Sequence, residues 1–192
     1  MQDHEIHPWL TRMIQGDSQA FYPIYQATKD HVYRMLRFLL NNKEDAADVM
    51  SEVYLNVWHS LPSYDFNQPF RSWLNGLIIR QASNWRRKLW RKMRLFERAQ
   101  RLATESLSNQ SEEGYLAREQ SSEILSLVNK LPYKLREVIV LRHYQDCSLE
   151  EVADVLQVPL GTVKSRHHSA IRKLRQLTEH HYVPKEASIR AD

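Results

Sequence analysis

Glycine is scarce in this sequence. The 192 residues include four glycines, whereas soluble proteins average about 7%. Hairpin turns and bulges of β-rich folds depend on glycine, and phosphate-binding loops need it in clusters. The four glycines are too far apart in the sequence to form such a loop; they are Gly16, Gly76, Gly114 and Gly161. The composition therefore disfavours nucleotide-binding α/β enzymes and predicts an all-α protein of one or two small domains.

Cysteine and long apolar runs are equally rare. Cys147 stands alone and cannot form an internal disulfide, which fits a reducing cytosol. The longest aliphatic run, 138–141, falls far short of the roughly 20 residues that a membrane span needs. Residues 1–9 contain Asp3 and Glu5 but no basic residue, unlike a signal peptide. We expect a cytoplasmic protein.

The net charge is only +4, but basic and acidic residues are concentrated in different segments of the chain. Residues 1–70 carry five basic and nine acidic side chains, whereas residues 71–101 carry ten basic side chains against Glu97 alone. Residues 102–130 carry two basic and five acidic side chains, and residues 131–192 carry ten and eight. Such segregation predicts that the central basic block binds an anionic polymer.

The polar stretch 102–119 contains TESLSNQSEEG and few large apolar residues, a composition that predicts a flexible linker. The chain therefore divides into two small helical domains with no internal repeat. The predicted boundaries are a first domain over 1–92, a linker over 93–119, a second domain over 120–180 and a tail over 181–192.

Residues 42–61 have the spacing of a helix with two unlike faces. Its apolar arc contains Ala46, Met50, Val53, Tyr54, Val57 and Leu61. The opposite stripe is polar and contains Asp45, Asp48, Glu52, Asn56 and His59. This stripe is either a solvated surface or a docking face for a basic partner helix. Pro62 and Pro69 then bracket a loop.

The next predicted helix, 70–92, has a core-facing stripe of Leu74, Ile78, Ala82, Trp85 and Leu89. Another face brings together Trp73, Arg80, Asn84, Arg87 and Arg91. Aromatic rings stack on bases and guanidinium groups neutralise phosphates, so this face favours single-stranded nucleic acid. No acidic residue occurs from Arg71 to Lys92, unlike an ordinary solvated face. For Trp73 alone, a core position is the alternative.

The second domain contains the pattern of a helix-turn-helix. A first helix is predicted to start at Leu131-Pro132 and to end near Tyr144. Ser148 and Glu151 then form a capping box at the start of a second helix, LEEVADVLQ. A turn over 158–161 follows, and Thr162 is predicted to cap a final helix. The outward residues of that helix include Lys164, Ser165, Arg166, His168, Ser169, Arg172 and Arg175. Basic and hydroxyl groups on a second helix suit the major groove, although a plain helical hairpin is the alternative.

Catalytic and metal sites have little support. Cys147 has no histidine partner that the sequence places beside it, and a buried or cap-adjacent thiol is the simpler interpretation. The pairs His167–His168 and His180–His181 are adjacent rather than four residues apart, which is unsuited to chelation on one helix. We predict no catalytic residue, no metal and no cofactor. A helix-turn-helix activator or repressor is an alternative that accounts for residues 148–175 but leaves the earlier helices unexplained.

Taken in order, these motifs resemble the bacterial RNA polymerase sigma factors of the extracytoplasmic-function (ECF) group. The resemblance starts with Gly16-Asp17 and Ala20-Phe21 and continues through DAADVMSEVYLNVW (45–58) and FRSWL (70–74). It ends with SLEEVADVLQVPLGTVKSR (148–166) and spans about 14–177. This sequence has Asp146 and Gln157 where the family often has Gly.

The resemblance implies sigma region 2 in the first domain and region 4 in the second. In region 2 it implies a polymerase-binding helix that contacts the β′ clamp helices, with Asp45, Asp48, Glu52, Asn56 and Trp58 as its contact residues. It also implies a site that melts and holds the promoter −10 element, with Asn67, Phe70, Arg71, Trp73, Arg80, Asn84, Arg87 and Arg91. In region 4, the implied −35 contacts are Thr162, Lys164, Ser165, Arg166, His168 and Arg172.

The implied partners are core RNA polymerase, through the β′ clamp helices and the β flap, promoter DNA and an anti-sigma factor. The free protein is expected to be a monomer that binds no small-molecule substrate. An anti-sigma factor would hold it at the inner face of the membrane and link its regulon to stress or the cell envelope.

Overall fold

The computed structural model describes residues 3–103 and 123–181, which form helices and short connections. An amino-terminal bundle contains α1 (Asp3–Ile14), α2 (Phe21–Leu39), α3 (Lys43–Ser60) and α4 (Phe70–Ala103), with short 3₁₀ turns at Ser18–Ala20 and Leu61–Ser63. A carboxyl-terminal bundle contains α5 (Glu123–Asn129), α6 (Tyr133–Ile139), α7 (Leu149–Leu156) and α8 (Leu160–His181). A π-helical turn, Val140–Tyr144, continues α6.

The amino-terminal bundle is built around the apolar stripe of α4. Leu74, Ile78 and Ala82 are buried as the spacing predicts, and Trp85 and Leu89 are partly buried. α3 and α2 pack against α4, and Asn42 caps α3 by accepting the Glu44 N–H at 2.9 Å. After α1, the chain turns at Gly16, whose φ of 95° lies in the region that glycine adopts without strain.

The helix-turn-helix forms largely as predicted. Ser148 accepts the Glu151 N–H and Glu151 accepts the Ser148 N–H, so the predicted capping box is present at α7. The turn begins one residue earlier than predicted, at Gln157, which adopts the left-handed conformation with φ of 52°. α8 begins at Leu160, so Thr162 lies in its first turn, where its N–H donates to Pro159 O, and is not the cap.

Two other boundaries differ from the prediction. α4 continues through 93–103, which the composition had assigned to the linker, and α5 and α1 were not predicted as separate helices. The remainder of the predicted linker, 104–119, and the tail from 182 onward lie outside the described residues. Within the ranges that the structure describes, no helix is long and apolar enough to cross a membrane.

The two bundles pack against each other through α6. Arg136 is buried, and its Nη1 donates to Leu39 O at 3.2 Å and to Asn41 Oδ1 at 2.6 Å, both in the amino-terminal bundle. Its Nη2 donates to the carbonyl oxygens of Asn129 and Leu131. Burial lowers the pKa of Arg136 to about 10. One guanidinium group therefore joins the two bundles.

Side chains of α4 complete this contact. The hydroxyls of Tyr133 and Ser83 lie 3.0 Å apart, and the Arg86 guanidinium covers the Tyr133 ring at 4.0 Å. Burial raises the pKa of Tyr133 to about 12, so its hydroxyl remains a donor at neutral pH. The bundles expected to be independent domains therefore share one continuous core.

Candidate polymerase and nucleic-acid surfaces

The polar stripe of α3 lies at the surface. Asp48 and Glu52 are exposed, and Asp45 and Asn56 are half-buried; Asn56 Oδ1 accepts a hydrogen bond from Ser60 at 2.8 Å. Trp58 is 43% exposed, but helical spacing places it about 120° from the centre of this stripe. The structure therefore brings the four polar residues together and leaves Trp58 on another side of α3.

Sequence reasoning missed an apolar component of this surface. Leu55 is 57% exposed and lies beside the acidic stripe on the helical wheel. Trp58 packs edge to face on Phe21 of α2, with ring centroids 6.0 Å apart. An exposed leucine between acidic residues was a signal available in the sequence, since it interrupts an otherwise solvated face.

The loop between α3 and α4 is held by a cluster of aromatic rings. Tyr64 is buried, donates its hydroxyl to Gln68 O and contacts both Phe70 and Trp73. Burial raises the pKa of Tyr64 to about 12. Asn67 is exposed, and its backbone and side-chain N–H groups donate to Asp65 Oδ1 at 2.9 Å. The cluster fixes the start of α4 beneath an exposed loop.

Phe70 and Trp73 occupy different depths in this cluster. Phe70 is fully buried and supports Trp73, whose ring centroid lies 5.5 Å away; its predicted contact with DNA would require this cluster to open. Trp73 is half-buried rather than exposed, because its ring also packs on Tyr64. Phe66, which is exposed beside His7, is an aromatic residue of this loop that sequence reasoning missed.

The polar face of α4 is exposed over most of its length. Arg80, Asn84, Arg87 and Arg91 all lie at the surface. Arg87 Nη2 donates to Asn84 Oδ1 at 2.6 Å. This bond uses the amide oxygen of Asn84, so the NH₂ group of Asn84 points away from Arg87. Arg71 is also exposed, but its Nε and Nη2 donate to Gln145 Oε1 of the carboxyl-terminal bundle at 3.3 and 3.0 Å.

The same face continues beyond Arg91. A cleft of about 550 Å³ is lined by Asn84, Arg87, Trp90, Arg91 and Arg94. Trp90 and Arg94 were not predicted as site residues, although they extend the three- and four-residue spacing of the face. A second cleft of about 750 Å³ lies between α4 and the carboxyl-terminal bundle, with Arg80 and Lys134 among its lining residues.

The outer face of α8 presents the predicted −35 residues with one change. Lys164, Ser165, His168 and Arg172 are exposed, and Thr162 is half-buried. Ser165 Oγ donates to Thr162 O at 2.9 Å.

Arg166 is instead turned toward α6, where its Nη1 lies 3.3 Å from Glu137 Oε1. Burial raises the pKa of Glu137, and the charges of Lys134 and Arg166 oppose that shift.

A histidine pair also links α8 to the π-helical turn. The Nε2 atoms of His143 and His167 lie 2.9 Å apart, whereas the ring centroids are 5.2 Å apart, so the rings meet through these nitrogens. One ring must donate its N–H to the other. Burial, followed by the charges of His143 and Arg142, lowers the pKa of His167. Within the described ranges, no cluster of three or more potential metal ligands occurs.

Cys147 does not have the surroundings of an activated thiol. It is buried, its Sγ donates weakly to Gln145 O at 3.8 Å, and burial raises its pKa. Reactive cysteines have lowered pKa values in electropositive, partly exposed sites. The surroundings of Cys147 thus favour a structural role.

Comparison with protein families identifies the class. The family model for sigma-70 region 2 matches residues 24–92, and the model for sigma-70 region 4 matches residues 127–176. Together these matches cover more than half of the chain, which therefore belongs to the sigma-70 family of RNA polymerase sigma factors.

Similarity to individual proteins narrows the assignment to the ECF group. The chain is 31% identical over 176 residues to the ECF RNA polymerase sigma factor SigW of Bacillus subtilis, covering 87% of this chain and 93% of SigW. It is 28% identical to SigV of the same organism over 152 residues, covering 79% and 87% of the two chains. The protein is thus an ECF sigma factor, a transcription initiation factor that binds core RNA polymerase and promoter DNA.

Solved structures agree on the fold. The structure of CnrH in complex with the cytosolic domain of CnrY superposes with a TM-score of 0.62 at 26% identity, covering 90% of this chain and 96% of CnrH. The sigma factor RpoE of Bartonella quintana, solved with the anti-sigma factor NepR, superposes with a TM-score of 0.58 at 20% identity, covering 83% and 96%. The prediction of an all-α protein with sigma regions 2 and 4 is confirmed.

Proposed function

We propose that the amino-terminal bundle docks on core RNA polymerase through the acidic stripe of α3. Asp48 and Glu52 supply exposed carboxylates, and Asp45 and Asn56 extend the stripe along the same face. Leu55 adds exposed apolar area beside this stripe, and burying apolar area contributes more to binding than exposed charge pairs do. Trp58 contributes from its separate position beside Phe21.

The face of α4 holds the opened −10 strand in this proposal. Asn67 lies on the loop that precedes α4, and Trp73 marks the boundary between the aromatic cluster and solvent. Arg80, Asn84, Arg87 and Arg91 continue along the exposed side. A base can stack on the free side of Trp73 while the arginines neutralise phosphates. Arg71 joins this set once Gln145 releases its guanidinium group, whereas Phe70 acts by supporting Trp73.

The start of α8 recognises the −35 element as duplex DNA in this proposal. Lys164, Ser165, His168 and Arg172 are free to contact bases and phosphates in the major groove, and Thr162 lies where the helix enters it. Arg166 positions this helix through Glu137 rather than contacting a base directly. One observation carries the overall proposal: two separate helix faces, on α4 and α8, each expose cationic side chains in a chain that matches sigma regions 2 and 4.

Regulation by an anti-sigma factor is proposed from the relatives. RpoE of Bartonella quintana was solved with the anti-sigma factor NepR, and CnrH with the cytosolic domain of CnrY. A partner of this kind would keep our protein at the inner face of the membrane until a stress or envelope signal arrives. The protein would otherwise be cytoplasmic and monomeric, with no catalytic residue of its own.

A reconstituted transcription assay tests the proposal. Core polymerase, the full chain and a library of promoter-length fragments are incubated with nucleotides, and transcript start sites are sequenced. We expect transcripts that share −10 and −35 motifs and that core polymerase alone does not produce. If the protein binds duplex operators tightly but never redirects core polymerase, it acts as a helix-turn-helix regulator instead.

A further inference from the structure

Two neighbouring residues of α8 make polar contacts on either side of its buried face. Val163 and Ala170 are fully buried, and on the helical wheel Arg166 and His167 lie about 50° to either side of them. Arg166 forms an ion pair with α6, and His167 bonds to His143 of the π-helical turn. A rotation of α8 about its own axis therefore lengthens one of these contacts, whichever way the helix turns.

The contact between His143 and His167 is a direct bond between two imidazole rings. Their Nε2 atoms lie 2.9 Å apart and their ring centroids 5.2 Å apart. Because the second distance exceeds the first by about the width of one ring, both nitrogens lie close to the line between the centroids. This alignment suits a single N–H···N hydrogen bond, in which one ring donates and the other accepts.

The surroundings of the two rings indicate which one accepts. His143 is exposed and His167 is half-buried. Burial, followed by the charges of His143, Arg142 and His168, lowers the pKa of His167, so this ring resists a second proton. We therefore assign His143 Nε2–H as the donor and His167 Nε2 as the acceptor. A proton added to His143 at Nδ1 leaves the bond intact, whereas a proton added to His167 at Nε2 removes the acceptor.

Carboxylates of the neighbouring elements do not offset this effect. Glu137 of α6 is paired with Arg166 and Lys134, and Glu151 of α7 is engaged in its capping box. The other acidic side chains of α7 and of the loop before it are exposed: Asp146, Glu150 and Asp154. Among the described residues, all of the charges that shift the pKa of His167 are positive.

We propose that the bond between His143 and His167 holds α8 in the rotation that recognises −35 DNA, and that protonation of His167 releases it. This inference rests on the proposed role of α8 in −35 binding and adds a dependence on pH. The bond is intact at neutral pH and is lost as the pH falls through the pKa of folded His167, which lies below the ordinary value of about 6.5.

A small rotation is sufficient to weaken recognition. The side chains of a helix reach about 5–6 Å from its axis, so a rotation of about 20° moves their tips by about 2 Å. Hydrogen bonds to base edges tolerate only a few tenths of an ångström in length. Lys164, Ser165 and His168 lie on the outer face that such a rotation displaces. The ion pair of Arg166 remains, because its guanidinium group does not lose its charge near neutral pH.

Holoenzyme binding at two pH values tests this inference. One forked probe carries the −35 duplex and the single-stranded −10 element, and the other probe is the −10 strand alone. We expect the advantage of the forked probe to fall several-fold in wild type from about pH 7.5 to about pH 5.5, on either side of the ordinary histidine pKa. His167→Gln should match wild type at the higher pH and keep that advantage at the lower, because its amide oxygen accepts the bond without titrating.

Three further variants separate positioning from direct contact. His167→Ala lacks an acceptor, so it should bind the forked probe weakly at both pH values. His143→Gln keeps an N–H donor for His167, so it should retain the wild-type decline. His168→Gln is the matched control, because it changes the adjacent histidine, which is exposed on the outer face. It should weaken −35 binding at every pH, as a lost DNA contact does, and the decline should remain.

The outcomes distinguish this inference from the proposed function. If wild-type holoenzyme gains nothing from the −35 duplex at the higher pH, the proposed −35 role of α8 is wrong. If that gain is present but does not depend on pH, or declines equally in His167→Gln, the histidine bond does not control recognition and the −35 role stands. A decline abolished by His168→Gln alone would assign the pH dependence to a direct DNA contact. Circular dichroism at both pH values verifies that each variant stays folded.

Discussion

The Arg166 guanidinium group of α8 lies 3.3 Å from the carboxylate of Glu137 on α6, and only 2% of the Glu137 side chain is exposed. Arg166 itself is 22% exposed, so the pair is largely removed from water. Lys134 approaches the same carboxylate oxygen at 3.5 Å from the solvent side. This pair therefore ties α8 to α6, and in the proposed function Arg166 positions α8 for DNA binding.

Removing Arg166 should cost stability as well as DNA affinity. Arg166→Ala leaves a buried carboxylate with Lys134 as its remaining ionic partner, and we expect a loss of about 2 kcal/mol in unfolding free energy. Urea denaturation measures that loss. Lys164→Ala is the control on the same helix: it should weaken −35 binding and leave stability unchanged. Equal stability of Arg166→Ala and wild type would show that Glu137 does not depend on this pair.

Acidification should destabilise the protein through two histidines. Burial lowers the pKa of His31, although its Nε2–H donates to Asn75 Oδ1 at 2.9 Å; Arg71 and Arg34 lower it further. The pKa of His167 is lowered by burial and then by His143, Arg142 and His168. Below about pH 6.5 the unfolded chain takes up protons that the folded chain resists, so stability falls with decreasing pH.

Denaturation at a series of pH values checks this expectation. The free energy of unfolding should be constant near neutral pH and decline below about pH 6.5. His167→Gln should reduce the slope of that decline, because it removes one group that resists protonation. A slope that is unchanged in both His31→Gln and His167→Gln would assign the acid sensitivity to other groups.

Trp73 should affect strand opening separately from folding. Trp73→Ala removes a half-buried ring from the cluster with Tyr64 and Phe70, and we expect a loss of about 2 kcal/mol in stability. Trp73→Phe keeps most of that packing and reduces the stacking area. We expect Trp73→Phe to retain binding to duplex −35 DNA and to form fewer open complexes, as measured by permanganate reactivity of the −10 strand. If Trp73→Phe forms open complexes as wild type does, Trp73 contributes to folding only and not to strand opening.

The contact between the bundles should loosen when Arg136 loses an acceptor. Asn41→Ala removes the 2.6 Å bond and leaves Leu39 O as the acceptor in the amino-terminal bundle. With dyes on α1 and α8, energy transfer should shift toward longer distances in the variant. Gln26→Ala, an exposed change on α2, is the control and should leave the distances unchanged. Identical distances in Asn41→Ala and wild type would mean that Tyr133 and its neighbours hold the bundles together unaided.

The sequence predicted the features that depend on local periodicity. The buried stripe at Leu74, Ile78 and Ala82 and the capping box at Ser148 follow from spacing alone. Phe70 was included in the −10 site by the resemblance, and the resemblance does not show how the preceding loop of this chain folds over the first turn of α4. The loop carries Tyr64, whose ring closes over Phe70.

Other features depend on contacts between residues far apart in the chain. Arg166 lies 29 residues from Glu137, and Arg136 lies 95 residues from Asn41, so neither pair has a local signature. Gln157 and Asp146 adopt positive φ values of 52° and 54° where the family often has glycine. These two positions depart from the family pattern. Their positive φ values explain why glycine is common there, because glycine adopts that conformation without strain.

The bond from Arg136 to Asn41 also sets a limit on when the protein can occupy a promoter. The −35 and −10 elements are about 25 base pairs apart, or about 85 Å of duplex. The two bundles are in direct contact, and a folded chain of 192 residues has a radius of gyration of only about 16 Å, so the packed bundles cannot span that distance. We therefore expect surplus molecules that have not met core polymerase to remain off promoters, so that gene expression follows the number of assembled holoenzymes and not the total amount of this protein in the cell.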